Sequence, residues 1–150
     1  MDRVAVALGS NLGDRAAHLD HAVSQLKGFL RDLRVSRYHE SAPVGVHEPQ
    51  PPYLNAAAVG ETSLPPRSVL DALLAIERAR GRERPYPSAP RTLDLDLILY
   101  GDLVLEEPGL ALPHPRFRER RFVLEPLGEI GAGLVDPVTR LTIADLLARL

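Results

Sequence analysis

The sequence predicts an α+β sandwich, a mainly antiparallel sheet with helices packed on one of its faces. Three observations lead there. Short segments that alternate in polarity or are rich in β-forming residues recur along the 150 residues. Two segments of helical period interrupt them, giving the order β-α-β, β-α-β, followed by a hairpin strand and small helices. The connections are short and turn-rich, with neither an internal repeat nor a linker. One domain over residues 1–150 is therefore expected.

Each element has its own reason. Arg3–Leu8 is an apolar first strand, and Gly9-Ser10-Asn11-Leu12-Gly13-Asp14 turns the chain. Asp14 is a candidate N-cap for a helix from about Arg15 to Leu33, with Leu19, Val23, Leu26 and Leu30 on one face. Arg34–His39 alternates as a second strand, and residues 40–52 read as a long exposed loop. Tyr53–Thr62 is a third strand. Pro65-Pro66 opens a second helix that runs to about Arg80 and stops at Gly81. Residues 81–90 form a polar, proline-broken loop; the strand from Leu93 to Leu99 follows, ended by Gly101-Asp102. A return strand is expected at Leu103–Leu105, the beginning of a short helix within Leu112–Phe122, and a last amphipathic helix over Leu141–Leu150. The pattern is that of a ferredoxin-like sandwich, and it leaves open whether the Leu93–Leu99 strand is central or at an edge.

Composition narrows the function. Hydrophobic residues make up 45% and charged residues 25%, as in an ordinary globular domain, and the formal net charge of -2 gives no support for nucleic-acid binding. With no cysteine there is neither a disulfide framework nor a thiolate metal site. No apolar run approaches the ~20 residues of a membrane span, and no secretory or lipidation signal is visible. A cytoplasmic monomer whose partners are small molecules, with no nucleic acid or membrane, is the expectation. Lys27 is the only lysine among 18 basic residues.

The chemistry concentrates in Arg91-Thr92-Leu93-Asp94-Leu95-Asp96-Leu97. On a strand Asp94 and Asp96 share one face, with Leu93, Leu95 and Leu97 on the other, and their Cα atoms lie roughly 7 Å apart. Two carboxylates so placed need cations opposite them: arginines, or a hard ion such as Mg²⁺ that brings phosphates with it. The alternative is two ordinary acids on a solvent-facing strand. Arg82, Arg84 and Arg91 favour the metal and polyphosphate reading. Tyr53 and Asn55 share a strand face, and an aromatic ring beside an amide suits a flat heterocycle as well as a core position. Arg116, Arg118, Arg120 and Arg121 surround His114, which is phosphate-binding chemistry or a solvated basic segment. The glycine-rich turn after the first strand suits a phosphate cradle or a simple strand-to-helix turn.

Six stretches, in order, resemble one family: Ala7–Asp14, Tyr53–Ala57, Gly81-Arg82-Glu83-Arg84, Pro90–Asp96, Pro113-His114-Pro115 with Arg120, and Phe122–Leu127. They resemble the 6-hydroxymethyl-7,8-dihydropterin pyrophosphokinases of folate biosynthesis, over most of the chain. Pro-Arg-Thr-Leu-Asp-Leu-Asp is the specific signature. The resemblance implies a ferredoxin-like fold and transfer of pyrophosphate from ATP to the pterin hydroxymethyl group, with release of AMP. It implies that Asp94 and Asp96 bind two Mg²⁺, with Asp96 also helping to take the hydroxyl proton. It makes Arg82 and Arg91 catalytic and Arg82, Arg84, Glu77, His114 and Arg120 residues of the ATP side. It gives Ser41, Ala42, Val44, Tyr53, Asn55 and Phe122 to the pterin, with Phe122 stacking on the ring.

The chain departs from that family's pattern in places. Ser88 stands where a tryptophan is expected, with Tyr86 nearby, and Gly109 and Ala111 replace a basic residue and a threonine. Two other classes remain to be weighed: a metal-dependent phosphohydrolase using the same aspartates, and a non-catalytic pterin- or nucleotide-binding module.

Overall fold

A computed structural model describes residues 1–42, 50–81 and 92–150. The main sheet runs β2-β4-β1-β5, and every pairing in it is antiparallel. β1 spans Asp2–Ser10, β2 Arg31–Val35, β4 Tyr53–Thr62 and β5 Asp94–Tyr100; the short β3, His39–Ser41, pairs with the first residues of β4. β1 and β4 are central because each carries nine or ten residues dominated by Ala and Val, buried on both faces. β5 lies at an edge, which settles the question that pattern left open.

Both faces are covered, so the helices are not confined to one side as the sequence suggested. Helix α1 (Arg15–Leu26) and helix α2 (Pro66–Ala79) bury Leu19, Leu26, Val69 and Leu73 against Val4, Val6, Leu8, Ala56, Ala58, Leu95 and Leu97. Helix α3 (Arg121–Gly131) and helix α4 (Ile143–Ala148) bury Val123, Leu124, Leu127 and Ile143 against Ala5, Ala57, Val59 and Ile98 on the opposite face. Alternating strand residues thus feed two separate cores. The order of elements could not show this, because α3 and α4 follow the last sheet strand and cross no strand pair.

Boundaries differ where apolar period misleads. The first helix ends at Leu26 instead of about Leu33: tighter turns close it, with the Gly28 N–H on the Gln25 carbonyl and the Phe29 N–H on the Leu26 carbonyl, and Leu30 is buried from the segment beyond. The expected strand Arg34–His39 is split, and between its halves the Ser36 hydroxyl accepts from the Ala57 backbone N–H at 2.9 Å, filling the gap in the ladder. The return strand is shifted to Leu105–Glu107 (β6) and pairs with an unforeseen partner, Leu110–Leu112 (β7), across Pro108-Gly109. Gly109 supplies the φ of 76° that this reversal requires. Between Leu112 and Phe122 the helical piece is one 3-10 turn, Phe117–Glu119, before α3.

Candidate active site

The site grows from the edge strand. In β5 the half-buried Asp94 and Asp96 alternate with the buried Leu93, Leu95 and Leu97, so both carboxylates stand on the α3 side of the sheet. The outer edge of β5 is held in two places. Glu77 on α2 is 2% exposed, and its Oε2 accepts from the Leu95 backbone N–H at 2.7 Å, between the two aspartates. Farther along, the His114 backbone N–H donates to the Ile98 carbonyl at 2.9 Å. Glu77, expected on the ATP side, thus has one carboxylate oxygen committed to fixing the aspartate strand.

Pairing registers carry the site inward. Asp94 lies opposite Gly9 on β1, and Gly9 lies opposite Asn55 on β4; Asp96, Ala7 and Ala57 make the next row. With strands ~4.8 Å apart, Asp94 and Asn55 sit about 10 Å from each other across a floor of small residues. A Cβ on Gly9 would come to 3.4 Å from Asn55 Oδ1 and 3.5 Å from the Tyr53 ring, so Tyr53, Asn55 and the bare Gly9 share that floor. The Asn55 amide is oriented by its neighbours. Its Nδ2 donates to Ser41 Oγ at 2.6 Å and to the His39 carbonyl at 3.4 Å. A carbonyl only accepts, so the amide nitrogen must point that way and Oδ1 faces the floor as an acceptor.

The third wall is the segment leading into α3. His114 receives the Arg116 backbone N–H on Nδ1 at 3.2 Å, which leaves the proton of a neutral ring on Nε2. Burial lowers the His114 pKa, the Arg120 guanidinium lowers it further, and Asp94 pulls it back up, so His114, Arg120 and Asp94 share one electrostatic neighbourhood. The Arg120 guanidinium lies 5.5 Å from the centre of the half-buried Phe122 ring. A neutral imidazole donor, a guanidinium and two carboxylates around a groove floored by Ala and Gly can hold a polyanion and a hard cation together.

The structure therefore brings Asp94, Asp96, Tyr53, Asn55, Ser41, Phe122, His114 and Arg120 to one side of one sheet, with Glu77 behind the strand. Ala42 is exposed at the end of the segment after β3. Val44, Arg82, Arg84, Arg91, Tyr86 and Ser88 lie outside the described residues. Covalently, Arg82 follows Gly81 at the end of α2, and Arg91 precedes Thr92, two residues from Asp94.

One pair of residues went unread. Asn11 Nδ2 donates to Gln50 Oε1 at 3.0 Å and to the Pro51 carbonyl at 3.4 Å. Arg15 donates to the Pro52 carbonyl at 2.9 Å and to Glu40 Oε1 at 2.7 Å. Asn11 of the glycine-rich turn thus holds the segment after residues 43–49, and Arg15 at the start of α1 links it to Glu40 before them. A buried asparagine in a turn was the available signal, but its partner lies 39 residues away.

The fitted oxygen donors are those a Mg²⁺ ion takes: one or two carboxylates, the rest from phosphate and water. Among the described residues no group of three or more His, Cys, Asp or Glu side chains forms a closed metal cage.

In sequence and in fold the chain is similar to known proteins of one family. Residues 5–132 match the model of the 7,8-dihydro-6-hydroxymethylpterin-pyrophosphokinase (HPPK) family. The 2-amino-4-hydroxy-6-hydroxymethyldihydropteridine pyrophosphokinase of Synechocystis is 42% identical over 95% of this chain and 73% of its own length. That of Bacillus subtilis is 43% identical over 87% of this chain and 79% of its own. The folic acid synthesis protein fol1 of Pneumocystis carinii is 40% identical over 95% of this chain, which spans only 19% of that larger protein. In fold, the chain superposes on the Plasmodium falciparum HPPK-DHPS with a TM-score of 0.77 at 14% identity, covering 99% of this chain and 44% of that one. A second HPPK-DHPS, in complex with substrates, gives a TM-score of 0.81 at 10% identity, over 99% of this chain and 43% of that one.

Proposed function

This chain belongs to the 7,8-dihydro-6-hydroxymethylpterin-pyrophosphokinase family, and we propose that its active site is the floor and walls just described. The reaction is transfer of pyrophosphate from ATP to the hydroxymethyl group of 6-hydroxymethyl-7,8-dihydropterin, releasing AMP. The observation that carries the assignment is the Asp94–Gly9–Asn55 row, which puts an oxygen-rich end and a heterocycle-binding end on one floor. No comparison favours a phosphohydrolase or a non-catalytic module.

On the pterin side, Asn55 Oδ1 accepts from a ring-edge N–H while Phe122 stacks on the ring and Tyr53 lines the pocket. Ser41, Ala42 and Val44 complete it. A pterin lacking the matching donor would leave the Asn55 carbonyl buried and unmatched. On the ATP side, His114 Nε2–H and Arg120 donate to phosphate oxygens, with Arg84 and Glu77 assigned to the same side. Arg82 and Arg91 stabilise charge that develops in transfer. Asp94 and Asp96 would hold two Mg²⁺, whose contribution is to neutralise the triphosphate and acidify the attacking hydroxyl. Asp96 is the group placed to take that hydroxyl's proton. Arginine is suited to the phosphate contacts because its planar fork meets two oxygens at once.

The same reading makes the protein a cytoplasmic monomer whose partners are ATP and the reduced pterin, with no nucleic acid or membrane. No helix among the described residues is long and apolar enough to cross a membrane.

The test is AMP release from ATP and Mg²⁺ with and without the reduced pterin, beside Asp96→Ala. AMP that forms only with pterin, and disappears in the variant, is the expected result. ADP as product, or hydrolysis indifferent to pterin, would overturn the assignment.

A further inference from the structure

One stripe of α3 does two jobs. Phe122, Glu125 and Glu129 are spaced i, i+3 and i+7, so they lie on the same helical face. Phe122 belongs to the site, while the two glutamates turn to β3, where they meet His39. His39 Nε2 and Glu129 Oε2 are 2.5 Å apart, and Glu125 Oε1 lies 3.8 Å from His39 Nδ1. The other oxygen of Glu129 accepts the Arg37 backbone N–H at 3.0 Å. One carboxylate thus holds a backbone group and an imidazole from the β2–β3 connection. The His39 and Glu129 side chains are only 22% and 23% exposed, so solvent screens them less than an open surface pair. Burial pushes the Glu129 pKa up, yet the hydrogen bonds from Arg37 and His39 outweigh it and leave the carboxyl below its usual value.

His39 is also a residue of the pterin wall through its backbone. It pairs with Asn55 in the β3–β4 ladder, and its carbonyl, with Ser41 two residues on, receives the Asn55 amide nitrogen. The α3–β3 contact therefore ties the helix bearing Phe122 to the strand whose backbone orients the Asn55 amide, in addition to the packing of α3 on β4 itself. Those are the groups that stack on the ring and bind its edge.

We propose that Glu129, acting through His39, is a positioning residue for the pterin: it sets the spacing between Phe122 and the Asn55 amide. This rests on the pterin reading of the site given above. The aspartates of β5 and His114 stand on other elements, and Arg120, the ATP-side group at the N-cap of α3, lies nine residues from Glu129, so the tie bears mainly on the pterin.

The experiment measures binding of the reduced pterin, by its own fluorescence with a non-hydrolysable ATP analogue present, and separately binding of that analogue. It uses the full chain with His39→Leu, Glu129→Ala, both together, and His39→Arg. Either loss should weaken pterin binding by about fivefold to tenfold and leave analogue binding within about twofold. The double variant should be no worse than the worse single one, since both remove the same contact. His39→Arg, which offers Glu129 a cation of similar reach, should restore pterin binding to within about twofold. Arg37→Ala removes a guanidinium that reaches Glu129 Oε2 at 3.3 Å from a side chain 83% exposed, and keeps the backbone N–H that Glu129 accepts, so it should change binding of either ligand by less than about twofold. Unchanged pterin binding in His39→Leu, equal loss of both ligands, or additive losses would each overturn the proposal. His39→Leu leaves the β3 backbone in place and decides the matter alone if Glu129→Ala does not fold. A wild-type chain that binds no pterin would instead refute the function proposed for the site.

Discussion

The α3 side of the sheet has two ends, built from the same strands but separated by a register shift between Ala5 and Val6 in the β1–β5 pairing. At one end Ala5, Val59 and Ile98 are closed over by Val123, Leu124, Leu127, Ile143 and Leu146. At the other, Ala7, Gly9, Asn55, Asp94 and Asp96 stand beyond the start of α3 at Arg121. The β1–β4 pairing runs unbroken through both ends, while the β1–β5 pairing shifts once between them. What changes is side-chain size along β1, polarity along β5, and the reach of one helix. A fold can thus keep one face half for cohesion and half for the proposed chemistry, with one register shift between β1 and β5 where the two halves meet. The fully buried Asp136 shows the structural use of an acid on the covered side: Arg118, Thr139 and the Val138 N–H all donate to it.

The sharpest way to break this comparison is one substitution at each end. Asp96→Ala should cost turnover about a thousandfold or more, because several kcal/mol of charge stabilisation go with the metal site. Its melting temperature should move little. Leu124→Ala, fully buried at the closed end, should do the reverse: about 3 kcal/mol of stability lost, roughly 6–12 °C in Tm, with turnover per folded molecule kept. Calorimetry beside an AMP assay checks both, and matching losses in one variant would show that the two ends are not separable.

Arg118→Ala should cost about 3 kcal/mol, since it leaves Asp136 buried without its cation. Burial alone would raise the Asp136 pKa, but Arg118, Thr139 and Val138 outweigh it and bring it down to about 2. A depressed carboxyl stabilises the fold above its ordinary pKa of 3.8, and that contribution drains away as the pH falls from about 4 toward 2. Acid titration of urea unfolding should show this slope in the wild type and lose it in Arg118→Ala. Next in size, Asn55→Ala should weaken pterin binding about tenfold and spare ATP, checked by direct titration of each ligand. Weakened ATP binding instead would mean that the two walls are assigned the wrong way round. Smallest is Gly9→Ala: its methyl group would sit at ordinary contact distance from Asn55 and Tyr53. The fold should tolerate it, while pterin KM rises about threefold.

What could be read from the chain follows the range of the interactions. Tyr53–Thr62 was legible to the residue, and the Asp94/Asp96 alternation matched the burial on β5, because both depend on neighbours one or two residues away. Leu30 misled because a buried leucine after a helix has the same spacing as one inside it. β7 is three residues long, too short for a pattern. In the site, Asn55 and the aspartates were visible as residues on a strand face and His114 and Arg120 as a basic cluster with two readings, whereas Phe122 took its role only from the family resemblance. Asn11 with Gln50 and His39 with Glu129 are 39 and 90 residues apart, so only the completed topology brings them together. Glu77 belongs to the same class: its bond to Leu95 appears once α2 lies along β5.

That bond has a meaning for the cell as well as for the site. A strand that presents catalytic acids at the border of a sheet also presents open N–H and C=O groups, which invite the strands of other molecules to pair. Burying the Glu77 carboxylate against the Leu95 N–H puts a negative charge and its bulk where a foreign strand would have to dock, and His114 occupies the Ile98 carbonyl farther along. The chain can therefore keep the Asp94/Asp96 strand at the rim of the sheet with two of its outward backbone groups already taken.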